Sequence, residues 1–156
     1  MPKRPAIFAV GANGGRRRAP MMPAKGIGML RLGLRDGERV IVNGAVLRAR
    51  GRTELVVENA AAVLRGRDVM TAEEATTPAR ALYLSLMLAY VDEPGRSGHQ
   101  DDVVARVRDL LAALEAPDAR AALMRIVEHA ARAEWYPALA HCRELIAYEN
   151  GALARA

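Results

Sequence analysis

Cysteine, aromatic residues and lysine are all scarce in this chain. A single cysteine, Cys142, excludes an internal disulfide framework and a multi-cysteine zinc site. Aromatic residues make up 4% of the sequence, and none lies between positions 29 and 70. That stretch therefore lacks the stacking platforms on which single-strand-binding sheets rely. No run reaches the roughly 18 to 20 uncharged apolar residues that a membrane span needs. The opening residues also lack the apolar stretch of about 7 to 15 that a secretory signal requires, so a cytoplasmic protein is expected.

Motifs that carry chemistry are missing too. There is no glycine-rich phosphate loop, His-Glu-x-x-His pair or nucleophile elbow. Of the three histidines, His99 is expected in a loop, and His129 and His141 on separate helices. His141 adjoins Cys142, but helix neighbours point about 100° apart and do not chelate together. Glu73 and Glu74 are better explained by helix capping than by acid–base work. The expectation is a protein that is not an enzyme, with no metal and no cofactor.

What is present is a globular composition with an uneven charge. The chain has 156 residues, 51% hydrophobic and 26% charged, with a net charge of +5. That length suits one domain, or a compact unit with a tail. Residues 1–27 carry six cations and no acid, 28–70 eight arginines against five acids, and 71–156 nine arginines against thirteen acids. A basic N-terminal half beside a mildly acidic C-terminal half suggests a polyanionic partner.

Residues 1–27 mix Pro, Gly and Ala with scattered cations and read as a disordered basic tail. Met21, Met22 and Met29 each offer an alternative start. Residues 28–70 read as a β-rich subdomain. Leu30, Leu32 and Leu34 alternate with Arg31, Gly33 and Arg35. Turn signals at Asp36-Gly37, Asn43-Gly44 and Gly51 then separate short apolar runs over Arg39–Asn43, Ala45–Arg50, Thr53–Glu58 and Ala61–Arg65. This pattern predicts a small antiparallel meander or barrel-like sheet.

Alternation gives the arginines a geometry. Arg48 and Arg50 share a strand face, as do Arg31 and Arg35 if their strand stays extended; Arg52 follows in a turn. Such a face suits a phosphate backbone, because arginine makes bidentate phosphate contacts. From the pattern alone the ordinary wet face of a two-sided sheet, partly neutralised by Glu54 and Glu58, is the favoured reading.

Residues 71–156 read as a helical subdomain resembling a four-helix bundle. Thr71 and Glu74 form a capping-box pattern, and Thr77-Pro78 is a stronger helix start. The first helix, Pro78 to about Asp92, is apolar nearly all round, so it is buried in this core or against a partner. A loop through Gly98 leads to a second helix over Asp101–Leu114, with Asp101 and Asp102 at its positive end. Pro117 opens a third. Glu134 to about Asn150 makes a fourth, ended by Gly151. The whole chain is thus α+β, strands first and helices after.

Several stretches taken together resemble the flagellin translation repressor family, FlbT. They are Gly37–Leu47, Leu55–Asn59, Leu64–Thr71, Glu73–Arg80 (the most specific), Tyr136–Leu139 and Leu145–Glu149. The tail before Met29 departs from the pattern, since members begin close to the first strand. The resemblance implies a post-transcriptional regulator that associates with the 5′ untranslated leader of flagellin mRNA. Such a regulator represses translation and promotes mRNA decay during flagellum assembly. It implies no catalytic residues, and a partner family, FlaF.

On this reading Arg48, Arg50 and Arg52 are the first candidates for RNA contact, supported by Arg31, Arg35, Arg39, Arg65 and Arg67. The alternative is a protein-interaction module, in which Leu82, Leu86 and Tyr90 line a groove for a FlaF-like protein or flagellin. Short strands with open edges also allow a homo-oligomer.

Overall fold

The computed structural model describes residues 29–156. The expected basic tail, with Arg16, Arg17 and Arg18, lies outside the described residues. Five short strands come first: β1 (Leu30–Leu34), β2 (Arg39–Val42), β3 (Ala45–Arg48), β4 (Thr53–Val57) and β5 (Val63–Arg65). Four helices follow: α1 (Pro78–Val91), α2 (Arg96–Ala113), α3 (Pro117–Ala131) and α4 (Trp135–Arg155). The fold is mixed α+β. It divides into two compact units, one holding the strands up to Val69 together with Val91–Glu93, the other the remaining helical residues.

The strands are antiparallel, but their order is not that of a meander. β1 pairs with β4 in one sheet, and the other runs β3-β2-β5. The Asp36-Gly37 turn therefore does not close a hairpin. It carries the chain from the first sheet into the second. Gly37 adopts a positive φ of 79°. Its N–H donates to the Ala49 carbonyl at 2.8 Å, while the Ala49 N–H donates to the Glu38 carbonyl at 2.9 Å. Two residues thus face one, a glycine-led bulge that sharpens the twist.

The tight hairpin is the next one. Asn43 (φ 50°) and Gly44 (φ 85°) form a two-residue turn with both central residues left-handed, the form that matches strand twist. It sets Val42 opposite Ala45 and Arg39 opposite Arg48. Between the two sheets lies a small core of Leu32, Leu34, Val40, Ala49, Ala61 and Val63. Ile41 and its cross-strand partner Leu64, on the other face of the second sheet, are buried as well.

In the helical unit, the predicted start of α1 holds. The Arg80 N–H donates to Thr77 Oγ1 at 3.4 Å, and Pro78 occupies the first turn. Before it, Glu74 accepts the Thr71 N–H at 2.7 Å, the carboxylate arm of the expected capping box. α1 is buried on most of its surface. Leu82, Leu86 and Tyr90 retain 0%, 0% and 4% exposure, so the groove expected of them does not exist; they are core residues. The physical reason is the one its composition gave: a helix without a polar face must be covered.

Two helix boundaries differ from expectation. α2 begins at Arg96, runs through Gly98, and takes His99 into the helix. Arg96 Nε donates to the Ala89 carbonyl of α1 at 2.7 Å, an anchor that the local pattern does not reveal. Asp101 and Asp102 therefore sit inside the helix rather than at its start. α4 passes through Gly151 to Arg155, because that glycine keeps a right-handed conformation and makes no left-handed cap.

α1 and α4 are joined by polar contacts at the α1 N-terminus. Glu149 Oε2 accepts the Ala79 N–H at 3.1 Å, and Arg80 Nη2 donates to Asn150 Oδ1 at 3.4 Å. Cys142 Sγ donates to the Ala79 carbonyl at 3.5 Å. Glu149 thus caps an orphan N–H with a carboxylate at the positive end of the helix. Glu149→Ala should lower the unfolding free energy by about 1 to 3 kcal/mol, the cost of stranding that donor. The exposed Glu128→Ala should stay within about 0.5 kcal/mol. Urea denaturation of both variants measures the difference.

Candidate nucleic-acid interface

The expected basic face is divided between two sheets. Arg31 lies on the outer face of the β1–β4 sheet, opposite Val56, which makes Glu54 and Glu58 its diagonal neighbours. Arg39 and Arg48 belong to the other sheet. Because Val40 enters the core between the sheets, Arg39 turns away from it, and the outer faces of the two sheets look in opposite directions. β3 ends at Arg48, so Arg50 lies in the bend that follows; Ala49 between them packs into the core. Arg35 begins the turn after β1, Arg52 precedes β4, and Arg67 sits in the 3₁₀ turn Gly66–Asp68. All of these arginines are exposed.

Arg65 is the exception, since it is engaged within the fold. Its guanidinium donates to the Gly33 carbonyl of β1 and to Glu38 Oε1, the latter at 3.1 Å. It is a tie between the two sheets, with its charge already balanced. Glu38 does more than pair with it. Its other oxygen accepts the Arg35 N–H at 2.9 Å. That backbone bond, with the Arg65 interaction, holds the Glu38 carboxyl below the usual carboxylate range.

The remaining acid of this turn is also occupied by backbone. Asp36 Oδ1 accepts the Gly51 N–H at 2.7 Å, and Thr53 Oγ1 donates to the Gly51 carbonyl at 3.1 Å. These bonds fix the turn that carries Arg50 and Arg52. An open hollow of about 850 Å³ lies between the two turns, lined by residues that include Arg35, Asp36, Arg52 and Glu54. Its two cations face two carboxylates, so it offers a mixed surface rather than an anion trap.

Charge is left over at Arg39 and Arg48. The register sets them directly opposite each other on neighbouring strands. Like charges so placed repel and destabilise by a few tenths of a kcal/mol or more. Among the described residues neither makes an ion pair with a carboxylate. Gly66 lies on the far side of Arg39, where an added Cβ would come within 3.0 Å of the Arg39 carbonyl oxygen. Arg39 and Arg48 are thus two exposed arginines side by side on neighbouring strands, an arrangement whose chemistry suits the oxygens of an anion.

The alternation rule placed Arg48 and Arg50 together and left Arg39 as support. The pairing of Arg39 with Arg48 was nevertheless within reach. A two-residue turn at Asn43-Gly44 dictates it by counting outward from the turn. The stacking of His129 on His141, with ring centroids 5.1 Å apart, had no such signal, because it needs α3 and α4 packed side by side.

The comparisons with known proteins bear on this arrangement. The family described as "Flagellar protein FlbT" matches residues 30–153, which includes every strand and nearly all of the four helices.

The chain belongs to the FlbT family.

Relatives agree with that assignment. A FlbT of Caulobacter sp. strain K31, named a probable flagellum biosynthesis repressor protein, is 37% identical over 122 residues, covering 78% of this chain and 93% of the relative. The flagellum biosynthesis repressor protein FlbT of Caulobacter vibrioides strain CB 15 is 35% identical over 122 residues, covering 78% and 86%. A probable FlbT repressor of Rhodopseudomonas palustris strain TIE-1 is 30% identical over 129 residues, covering 81% and 98%. No solved structure matches. Two stretches that carried the resemblance, Glu73–Arg80 and Leu145–Glu149, meet in this FlbT at the Ala79–Glu149 bond. Among the described residues no helix is long and apolar enough to cross a membrane.

Glu38 gives the stability of the fold a pH dependence with a definite sign. A carboxyl held low in the folded state stabilises it above the usual carboxylate range, and that contribution fades as pH falls through the lowered value. Stability should therefore decline on acidification below about pH 4.5, and Glu38→Gln should flatten part of that decline. Urea midpoints measured along an acid series test this; parallel curves for the two proteins would remove Glu38 from the account.

Proposed function

We propose that this FlbT protein is a post-transcriptional regulator of flagellin synthesis rather than an enzyme. It associates with the 5′ untranslated region of flagellin mRNA, hinders ribosome access, and favours decay of the message while the flagellum is being assembled. The names of the relatives, flagellum biosynthesis repressors, support the regulatory part. The observation that carries the RNA part is the Arg39–Arg48 pair, two facing cations that make no ion pair with a carboxylate among the described residues. Exposed Arg50 follows in the bend after β3, and Arg52 stands before β4 at the mixed-charge hollow.

The chemistry favours backbone contact over base reading. Arginine forks grip phosphate oxygens, and the strand unit offers no aromatic ring on which a base could stack. Discrimination between messages then depends on the folded shape of the leader and on backbone groups near the arginines. The alternative, a partner groove on α1, loses its lining with Leu82, Leu86 and Tyr90 buried. A FlaF-like protein or flagellin would have to use another surface.

The test is a titration of flagellin leader RNA at several salt concentrations. The Arg39→Ala/Arg48→Ala double variant should bind at least about tenfold more weakly, and its log–log salt slope should fall by about 0.7 for each phosphate that is no longer neutralised. Arg31→Ala, on the opposite sheet and beside two glutamates, should change little. Unaltered binding by the double variant would sink the assignment of the site. Absence of leader binding by the parent protein would sink direct recognition.

A further inference from the structure

The hairpin that faces Arg39 with Arg48 also leaves β3 as an outer strand, since the sheet order is β3-β2-β5. Each of its four residues is exposed. Val46 and Leu47 keep 37% and 43% exposure on opposite faces of the strand. Outer strands are normally guarded against pairing by charge, proline or a bulge along the edge. Here Ala45, Val46 and Leu47 carry no such guard, and the first charge is Arg48 at the far end. The bulge at Gly37 and Glu38 lies beyond the strand, opposite Ala49.

The direction of the free backbone groups follows from one bond. The Ala49 N–H donates to the Glu38 carbonyl, toward the β2 side. Backbone groups alternate sides along a strand, so Leu47 and Ala45 also aim at β2, while Val46 and Arg48 aim at open solvent. Val46 thus presents an N–H and a carbonyl, in the middle of an apolar edge, to whatever strand lies alongside.

We propose that this edge is a homodimer interface, in which β3 pairs antiparallel with β3 of a second copy about a two-fold axis at Val46. Charge selects this partner arrangement. Antiparallel pairing centred on Val46 sets Ala45 opposite Leu47 of the partner subunit, small against large. It sends Arg48 out to face Gly44 of the partner subunit, about four residues along the strand from the other Arg48. A parallel pairing in register would stack the two Arg48 side chains, and an antiparallel pairing centred on Leu47 would bring them to diagonal contact; both are opposed by repulsion. The Val46-centred pairing returns both edge groups of Val46 to hydrogen bonds in each copy. It also joins two three-stranded sheets into one of six, with the Arg39–Arg48 pairs of both copies on the same face. The dimer stands or falls without the RNA reading, because it forms on protein alone.

The experiment uses the full chain freed of nucleic acid by nuclease treatment and high salt. Sedimentation velocity over a wide concentration range should show a reversible monomer–dimer equilibrium. Val46→Pro removes an N–H that the β2–β3 ladder does not use. It should shift dimerisation to at least about tenfold higher concentration with unchanged far-UV circular dichroism. Val46→Lys, which brings two like charges to the axis, should do the same and covers the case in which the proline variant fails to fold. Val46→Cys supplies an independent readout. Cα atoms of a hydrogen-bonded antiparallel pair lie about 5.5 Å apart, within disulfide range. Cys142 is buried, and burial pushes its thiol far up, so it does not compete. With oxidised glutathione the variant should form a covalent dimer, while Val56→Cys on the other sheet should not. A parent protein that stays monomeric throughout would overturn the proposal. So would a dimer unaffected by Val46→Lys, or equal cross-linking at positions 46 and 56.

Discussion

The two-residue turn at Asn43-Gly44 constrains most of what matters in the strand unit. Both residues must take positive φ, which asparagine tolerates and glycine adopts freely. A turn this short permits one register, and a register fixes which side chains oppose each other and which backbone groups face outward. Arg39 against Arg48, the outward amide of Val46 and the position of β3 as an outer strand all descend from it. A longer loop would have relaxed each of them.

The acids of the same unit explain why the arginines remain available. Asp36 is taken by the Gly51 amide, and Glu38 by the Arg35 amide and Arg65. Carboxylates held by turn amides and by Arg65 are less free to form close ion pairs with the remaining arginines. One arginine of eight is consumed as a tie between sheets, and the others stay at the surface. The repulsion between Arg39 and Arg48 is a local cost that no ion pair among the described residues offsets.

The helical unit follows a different logic. α1 carries apolar side chains on every side and is covered on most of its length. Its start is held by groups some seventy residues away in the chain, Glu149 and Asn150. Thr77 caps the first turn locally, and a carboxylate from α4 satisfies the Ala79 N–H, a further orphan donor of that turn. The buried Ser85 hydroxyl, midway along α1, is satisfied by the Ala81 carbonyl at 3.1 Å.

The amino-acid sequence by itself determined the element types, the order of strands before helices, the turn at Asn43-Gly44 and the start of α1 at Thr77-Pro78. Each rests on local chemistry: period-two alternation, positive φ at Asn-Gly, and a threonine cap before proline. Tertiary structure alone decided how the strands divide into two sheets, because pairing partners lie far apart in sequence and alternation is blind to them. It also removed Arg65 from the set of free cations, carried α2 back to Arg96 through the bond to Ala89, and turned Leu82, Leu86 and Tyr90 into core. These outcomes depend on groups from distant segments meeting in space. A local pattern states what a residue can do, and only its neighbours in the folded protein settle which of those roles it takes.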